Sequence, residues 1–243
     1  MNGGRASSGL LPGLLLIGLL ALLAVWPVPT SGDASSQDQP IKLPQPGVPQ
    51  VSTMEGKFVR ASYNNEGYVI LGYQASNRSV GEEWMLLEVG ITLREGVSDY
   101  RLTREAISLD TPDGKTLPLP SISEQRGGGV NAIQQRAKVQ RDSINYFPPK
   151  ASRACAILFY PDLGARSVPF DEVDLSDDRA CLGRFYFKIP GGIAYGQHWL
   201  NVKFQNSVVR VPFRILTEDE ERFLSNNYKS IERQVKEAFS SKK

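Results

Sequence analysis

The chain contains 243 residues, with 28 basic and 26 acidic side chains and a formal net charge of +2. Proteins that bind nucleic acid usually concentrate basic residues on one face, so this balance gives no reason to expect a nucleic-acid partner. The length allows one sizeable hydrophobic core and argues against two.

The N-terminus has the pattern of an export signal. A single basic residue, Arg5, precedes an apolar run from Leu10 to Trp26, and small residues follow near Gly32. This is the arrangement of a secretory signal peptide. An uncleaved anchor stays open, because the run is only slightly shorter than a membrane-spanning helix. We expect residues 1–32 to be a signal peptide or N-terminal membrane anchor, and the protein to be periplasmic or extracellular, with no other membrane contact.

A spacer follows the apolar run. Residues 33–55 are rich in Pro, Gln and Ser and lack an apolar period, which predicts a disordered linker.

Apolar and polar residues alternate with a period of two through much of residues 56–216, which we expect to form the β-sandwich domain. The stretch EEWMLLEVGITLRE predicts a strand whose inward-facing residues are Met85, Leu87, Val89, Ile91 and Leu93. Pro112, Asp113 and Gly114 predict a hairpin turn after the next apolar segment. The stretch HWLNVKFQNSVVRVPFRIL predicts a further hairpin, whose second strand should lie at a sheet edge because Pro212 lacks a backbone donor. Strands joined by turns, without intervening helices, predict an antiparallel β-sandwich.

Two segments interrupt this pattern. Residues 121–150 contain a glycine run and a weakly amphipathic stretch, which predict an insertion with a short helix. Residues 217–243 begin with Thr217 and Glu220 in the spacing of a capping box and predict an amphipathic C-terminal helix. The apolar stripe of that helix, which we expect to dock on the sandwich or on a partner, is Leu224, Tyr228, Ile231, Val235 and Phe239.

Two stretches resemble a known class of domain. Tyr195 and Gly196 enter an alternating strand that leads through a hairpin to a last strand, and this resembles the final strands of immunoglobulin-like domains in exported proteins. The stretch LDTPDGKTLPL resembles a hairpin in exported immunoglobulin-like domains of unassigned function. The resemblance implies an immunoglobulin-like β-sandwich with Tyr195 as its corner tyrosine, but no activity, because such sandwiches carry many functions.

The chain has two cysteines, and each begins an apolar strand face. Cys155 shares parity with Ile157 and Cys181 with Phe185, so both thiols should face the core. An isolated pair in an exported protein predicts a disulfide. The competing hypothesis is a redox-active pair, with Arg153 and Arg179 nearby as positive charges. The spacing is too short for the cross-sheet bridge of antibody domains.

Few residues could carry enzymatic chemistry. His198 is the single histidine, and its parity with Leu200 predicts a buried structural role. One histidine and two cysteines are too few for a structural zinc site, and we expect no cofactor and no catalytic residues. The acidic stretch at 171–178 predicts a solvated turn, with a calcium site as the alternative.

The sequence therefore predicts a non-enzymatic binding or structural module that engages another envelope or extracellular protein. Surface residues Trp84 and Trp199, together with the C-terminal stripe, are its candidate contacts. The alternative is a carbohydrate-binding module, because outward aromatic rings can stack on sugars; the expected arrangement is that the insertion or the C-terminal helix covers these rings. A hydrolase with an unrecognised site is a third hypothesis.

Overall fold

The alternating segments of the sequence form paired strands. The computed structural model of the protein describes residues 48–127, 129–139, 142–160 and 168–240. The predicted signal or anchor at 1–32 and most of the predicted linker lie outside these residues. The strands are β1 Val51–Gly56, β2 Val59–Tyr63, β3 Gly67–Gly72, β4 Trp84–Leu93, β5 Tyr100–Thr103, β6 Ile107–Asp110, β7 Thr116–Pro118, β8 Arg153–Ile157, β9 Glu172–Leu175, β10 Arg179–Lys188, β11 Gly196–Lys203 and β12 Val208–Ile215. The helices are α1 Gln74–Asn77, α2 Ile122–Gly127, α3 Asn131–Val139 and α4 Glu218–Ser240, with a 3-10 turn at Arg104–Ala106.

The described strands form two large sheets and a ribbon. The six-stranded sheet has the order β1-β2-β3-β4-β10-β8, the four-stranded sheet has the order β12-β11-β6-β7, and β5 pairs with β9. Every pair is antiparallel except β8 and β10, which run parallel. The prediction of a mainly β fold with antiparallel sheets is confirmed, and the parallel pair departs from it.

The two large sheets share one hydrophobic core. All five predicted inward-facing residues of β4 belong to it, as do the alternate apolar residues of β11 and β12. The predicted hairpin at Gly114 joins β6 to β7, and the glycine takes a positive φ of 83° that L side chains rarely adopt. Pro212 lies on β12, which ends its sheet, so the predicted edge position is confirmed.

The sandwich begins earlier in the chain than the sequence predicted. Residues 51–55, which we expected to be linker, belong to β1, and β1 pairs antiparallel with β2. The stretch lacks a clear apolar alternation because β1 is an edge strand whose residues are mostly half-exposed, so few positions need to be apolar.

The insertion covers the outer face of the six-stranded sheet. It contains two helices, α2 and α3, where the sequence predicted one. Residues Val130, Ile133 and Ala137 pack against Trp84 and Leu86 of β4. Every residue of β4 is consequently buried, including its outward-facing set. The insertion therefore supplies a second, outer core above the central strand.

Two strand glycines leave space for the segment that follows α3. A Cβ added at Gly90 of β4 would lie 2.7 Å from Cζ of Phe147, and one at Gly72 of β3 would lie 2.6 Å from Cβ of Asp142. Real Cβ atoms do not approach other carbons that closely, so any larger residue at either position displaces the insertion.

The predicted capping box at the start of the C-terminal helix is confirmed. The backbone N–H of Thr217 donates to Glu220 over 2.9 Å, and the N–H of Glu220 donates to the Thr217 hydroxyl over 3.3 Å. Glu221 then pairs with Lys57 at 2.8 Å and Arg78 at 2.6 Å, which fixes the first turn on the six-stranded sheet. The helix packs against β1. Within the described residues, the helices do not combine the length and apolarity needed to cross a bilayer.

The contact between Gly90 and Phe147 gives a prediction about the insertion. We expect Gly90→Ala to lower the free energy of unfolding by about 1–3 kcal/mol, because the new methyl group overlaps the Phe147 ring. Phe147→Leu removes the ring atoms Cζ and Cε2 that the new methyl group would overlap, so the same glycine substitution should cost much less in the Phe147→Leu background. Chemical denaturation of the four proteins measures this coupling. If the double variant loses the sum of the two single-variant losses in unfolding free energy, Phe147 does not pack against Gly90.

Candidate functional site

The two cysteines join neighbouring parallel strands. Cys155 of β8 and Cys181 of β10 form a disulfide, and they face each other in the strand register. Cys181 is fully buried and Cys155 half-buried, as their parity predicted. The bridge closes a sequence separation of 26 residues, which in the chain-entropy model stabilises the fold by roughly 3–4 kcal/mol. The predicted disulfide is confirmed, and it indicates an oxidising environment.

In the part of the chain that the structure describes, one edge of strand β8 is open. Among the described residues, β10 is its only strand neighbour. The N–H of Arg153 donates to the carbonyl of Asp178, so Arg153, Cys155 and Ile157 direct their backbone groups towards β10. Backbone groups alternate in direction along a strand. Ala154 and Ala156 therefore direct their N–H and C=O groups away from the sheet.

Apolar surface borders this edge. Ala154 and Ala156 are exposed, and Leu182 of β10, which stands beside Ala156 in the register, is 42% exposed. Phe170 is 53% exposed, and its N–H donates to the carbonyl of Leu158 just beyond the end of β8. Interaction sites are often bordered by exposed apolar side chains, so these residues make the edge of β8 the candidate site. We call the edge of β8 and these side chains the β8 edge surface.

A buried arginine fixes the end of β8. Arg104 is 5% exposed, and its guanidinium donates to Asp171 at 2.8 Å and to the carbonyl of Pro120 at 2.8 Å. It also donates to the carbonyl of Phe159 and stacks over the Phe159 ring. One side chain thus ties the loop before β6, the start of the insertion and the chain after β8 together.

The carboxylates of the acidic stretch at 171–178 form ion pairs with several different basic side chains. Its first half is strand β9 and not the predicted turn, because Val173 and Leu175 alternate into the core. The carboxylates pair with basic side chains: Asp171 with Arg104, Glu172 and Asp174 with Arg101, Asp177 with Lys150, and Asp178 with Arg153. In the described part of the chain, acidic, histidine and cysteine side chains do not gather into a group of three that could hold a metal ion.

The two candidate tryptophans are buried. Trp84 is 6% exposed beneath the insertion, which is the covering arrangement that the sequence predicted. Trp199 is 4% exposed, and the guanidinium of Arg210 lies 4.9 Å from its ring centre. Neither ring offers a free face on which a sugar could stack, and neither belongs to the β8 edge surface.

The C-terminal stripe is also largely covered. Leu224 is 9% exposed, while Tyr228, Ile231 and Val235 are half-buried. The side chain of Phe239 lies outside the described residues. The structure therefore keeps the described part of the stripe together on one helix face and places it apart from β8.

The single histidine is packed inside the sandwich. His198 is fully buried, stacks on Phe213 with ring centres 5.3 Å apart, and has Nδ1 at 3.0 Å from the carbonyl of Gly196. Burial lowers its pKa to about 4, so the ring is neutral at pH 7. Tyr195 is 51% exposed and does not take the buried position of a corner tyrosine.

Comparisons of the chain with protein-family models, with curated proteins and with solved structures give no match. The candidate site therefore rests on geometry alone. Sequence reasoning missed the open edge of β8, although a signal for it was present: alanines at 154 and 156 alternate with inward-facing residues, and such small outward residues leave a strand backbone accessible.

The buried histidine gives a prediction about pH. Because the folded pKa of His198 lies below the ordinary value of 6.5, its contribution to stability is present above pH 6.5 and is lost as the pH falls towards 4. We expect a loss of roughly 3 kcal/mol between pH 7 and pH 4 relative to His198→Phe, which keeps a ring on Phe213 but does not titrate. The comparison with the variant is needed, because burial also raises the pKa of Asp142 to about 6 and acts in the opposite sense over this range.

Denaturation of both proteins at several pH values measures the difference. Parallel stability curves between pH 7 and pH 4 would contradict the buried, neutral state of His198.

Proposed function

We propose that the chain is an exported, non-enzymatic module with an immunoglobulin-like sandwich that engages another envelope or extracellular protein. The observation that carries the proposal is the open edge of β8, held by a disulfide and bordered by exposed apolar side chains. The bridge fits an oxidising compartment, and the apolar N-terminal run fits an export signal.

An open strand edge binds extended segments of other proteins. A partner strand beside β8 would exchange backbone hydrogen bonds with Ala154 and Ala156, which supply affinity without regard to sequence. Methyl side chains let a second backbone approach closely. Leu182 and Phe170 would contact alternate side chains of the added strand and so select its sequence.

The edge is held in place before a partner binds. The disulfide fixes the middle of β8 to β10, the Arg153–Asp178 ion pair lies at its start, and Arg104 fixes the carbonyl of Phe159 beyond its end. A strand ordered in advance loses less conformational entropy on binding, so more of the interaction energy appears as affinity.

Among the described residues, the edge of β12 is protected and helix α4 packs against β1. On β12, Pro212 lacks a donor, and the side-chain amide of Gln50 occupies the outward backbone groups of Arg210, donating to its carbonyl at 2.5 Å and accepting from its N–H at 2.8 Å. Proteins commonly protect exposed edges in such ways, and within the described ranges the edge of β8 carries no such protection, which favours a binding role.

Substitutions at Ala156 test the proposal. Ala156→Pro removes the outward N–H and leaves the β8–β10 hydrogen bonds in place, whereas the control Ala156→Ser keeps that donor. We expect photo-crosslinking from a benzoylphenylalanine at Leu182, in the protein's native cells, to join the chain to one exported protein. The proline variant should lose this product at least tenfold and the serine variant should retain it, since a partner strand needs the donor.

Both variants should keep the melting temperature of the parent chain within a few degrees, because proline is tolerated where a strand N–H faces outwards. The same crosslinker at Lys188, exposed at the far end of β10, is the control for chance encounters. A product that survives Ala156→Pro, or that forms equally from Lys188, would refute binding at this edge.

A further inference from the structure

A polar cleft lies on the outer face of the four-stranded sheet. Its volume is about 490 Å³, within the usual range for pockets that bind small molecules. The outward-facing residues of β6, β11 and β12 line it, because their neighbours along each strand belong to the core. These outward-facing residues are Ser108, Asp110, Asn201, Lys203, Val208 and Arg210.

Three of these side chains form a hydrogen-bonded row across the strands. Ser108, Asn201 and Arg210 stand side by side in the register. Nε of Arg210 donates to Oδ1 of Asn201 over 3.0 Å, and Nδ2 of Asn201 donates to the Ser108 hydroxyl over 3.3 Å. Nη2 of Arg210 also donates to Asp110 over 2.6 Å, and the guanidinium packs on the ring of Trp199. The row is therefore ordered before a ligand binds, which lowers the entropic cost of binding.

The cleft contains groups with unused hydrogen-bonding capacity. The half-exposed Ser108 hydroxyl accepts from Asn201, and among the described residues its own proton has no acceptor. The exposed ammonium of Lys203 has no ion pair and no hydrogen bond within the described ranges. Asp110 accepts from Arg210 and Thr116, and each of its carboxylate oxygens keeps a second lone pair. The cleft thus offers both donors and acceptors to a ligand.

The charges of the cleft balance. Lys203 and Arg210 supply two positive charges, and Glu105 and Asp110 supply two negative charges. Some apolar surface is also present, since Val208 is 45% exposed and stands opposite Lys203 in the register. This combination favours a neutral molecule with several hydroxyl groups, because each hydroxyl can both donate and accept.

We propose that this cleft binds a neutral saccharide. Sugar hydroxyl groups accept hydrogen bonds from Ser108 and Lys203 and donate to Asp110. The C–H face of a sugar ring lies on Val208. Recognition comes from polar side chains and not from stacking on the two tryptophans, which are buried. The cleft shares no residue with the β8 edge surface, so this site does not require a partner strand.

Neutral trisaccharides of glucose, galactose, mannose and N-acetylglucosamine are the probes. In NMR titrations of the full-length oxidised protein, at least one of them should cause saturable shifts at the amides of Ser108, Asn201 and Lys203. Ser108→Ala removes the free hydroxyl proton and should weaken that affinity about five- to tenfold, the value of one hydrogen bond. The control Ser108→Thr keeps a hydroxyl and should bind like the parent chain.

A second comparison separates a neutral ligand from an anionic one. A galacturonate trisaccharide has the ring shape and linkage of the matched galactose probe but carries carboxylates. It should bind no more tightly than the galactose probe, because the charges of the cleft balance. The proposal would be overturned by neutral probes that cause no saturable shift, by shifts that map away from the cleft, by equal affinity of Ser108→Ala and the parent chain, or by tighter binding of the galacturonate.

Discussion

The disulfide between neighbouring parallel strands is the constraint on which the candidate site depends. Parallel strands cannot be joined by a tight turn, and here the chain leaves β8, forms β9 beneath the sheet and returns as β10. Strand β8 has five residues and one described neighbour, so its hydrogen bonds alone would hold it weakly. The covalent bond in the middle of the strand fixes its register against β10.

The insertion determines where the sheet remains uncovered. It packs over the outer faces of β2, β3 and β4, using the space that Gly72 and Gly90 leave. Charged groups lie under it, since Glu88 accepts the backbone N–H of Asp142 at 2.8 Å and pairs with Arg184 at 3.2 Å. Beyond Phe147 this cover ends, and the outer side of Leu182 and Ala156 is exposed. The extent of the insertion thus determines both which strands are covered and that the outer side of Leu182 and Ala156 is exposed.

Much of this architecture could be predicted from local patterns. The alternation in β4, the turn at Gly114 and the capping box at Thr217 depend on neighbouring residues only, and all three are confirmed. The disulfide could be predicted because strand parity directs both thiols inward.

Other features depend on distant parts of the chain. The parallel pairing joins β8 to β10 across a separation of 26 residues, and the half-exposed β1 carries little apolar signal. The sequence predicted that the insertion or the C-terminal helix would cover Trp199, whereas the guanidinium of Arg210 on the paired strand β12 lies 4.9 Å from its ring centre. The open edge itself is a property of the sheet order, which no short stretch encodes.

Backbone hydrogen exchange along β8 tests the central claim most directly. If β8 pairs only with β10, the amides of Cys155 and Ile157 should exchange slowly in the oxidised protein, and those of Ala154 and Ala156 should exchange at nearly the rate of an unstructured chain. Residue-resolved NMR would show this alternation. Equal, strong protection at all four amides would contradict the account, because it would mean that the outer edge of β8 is already paired.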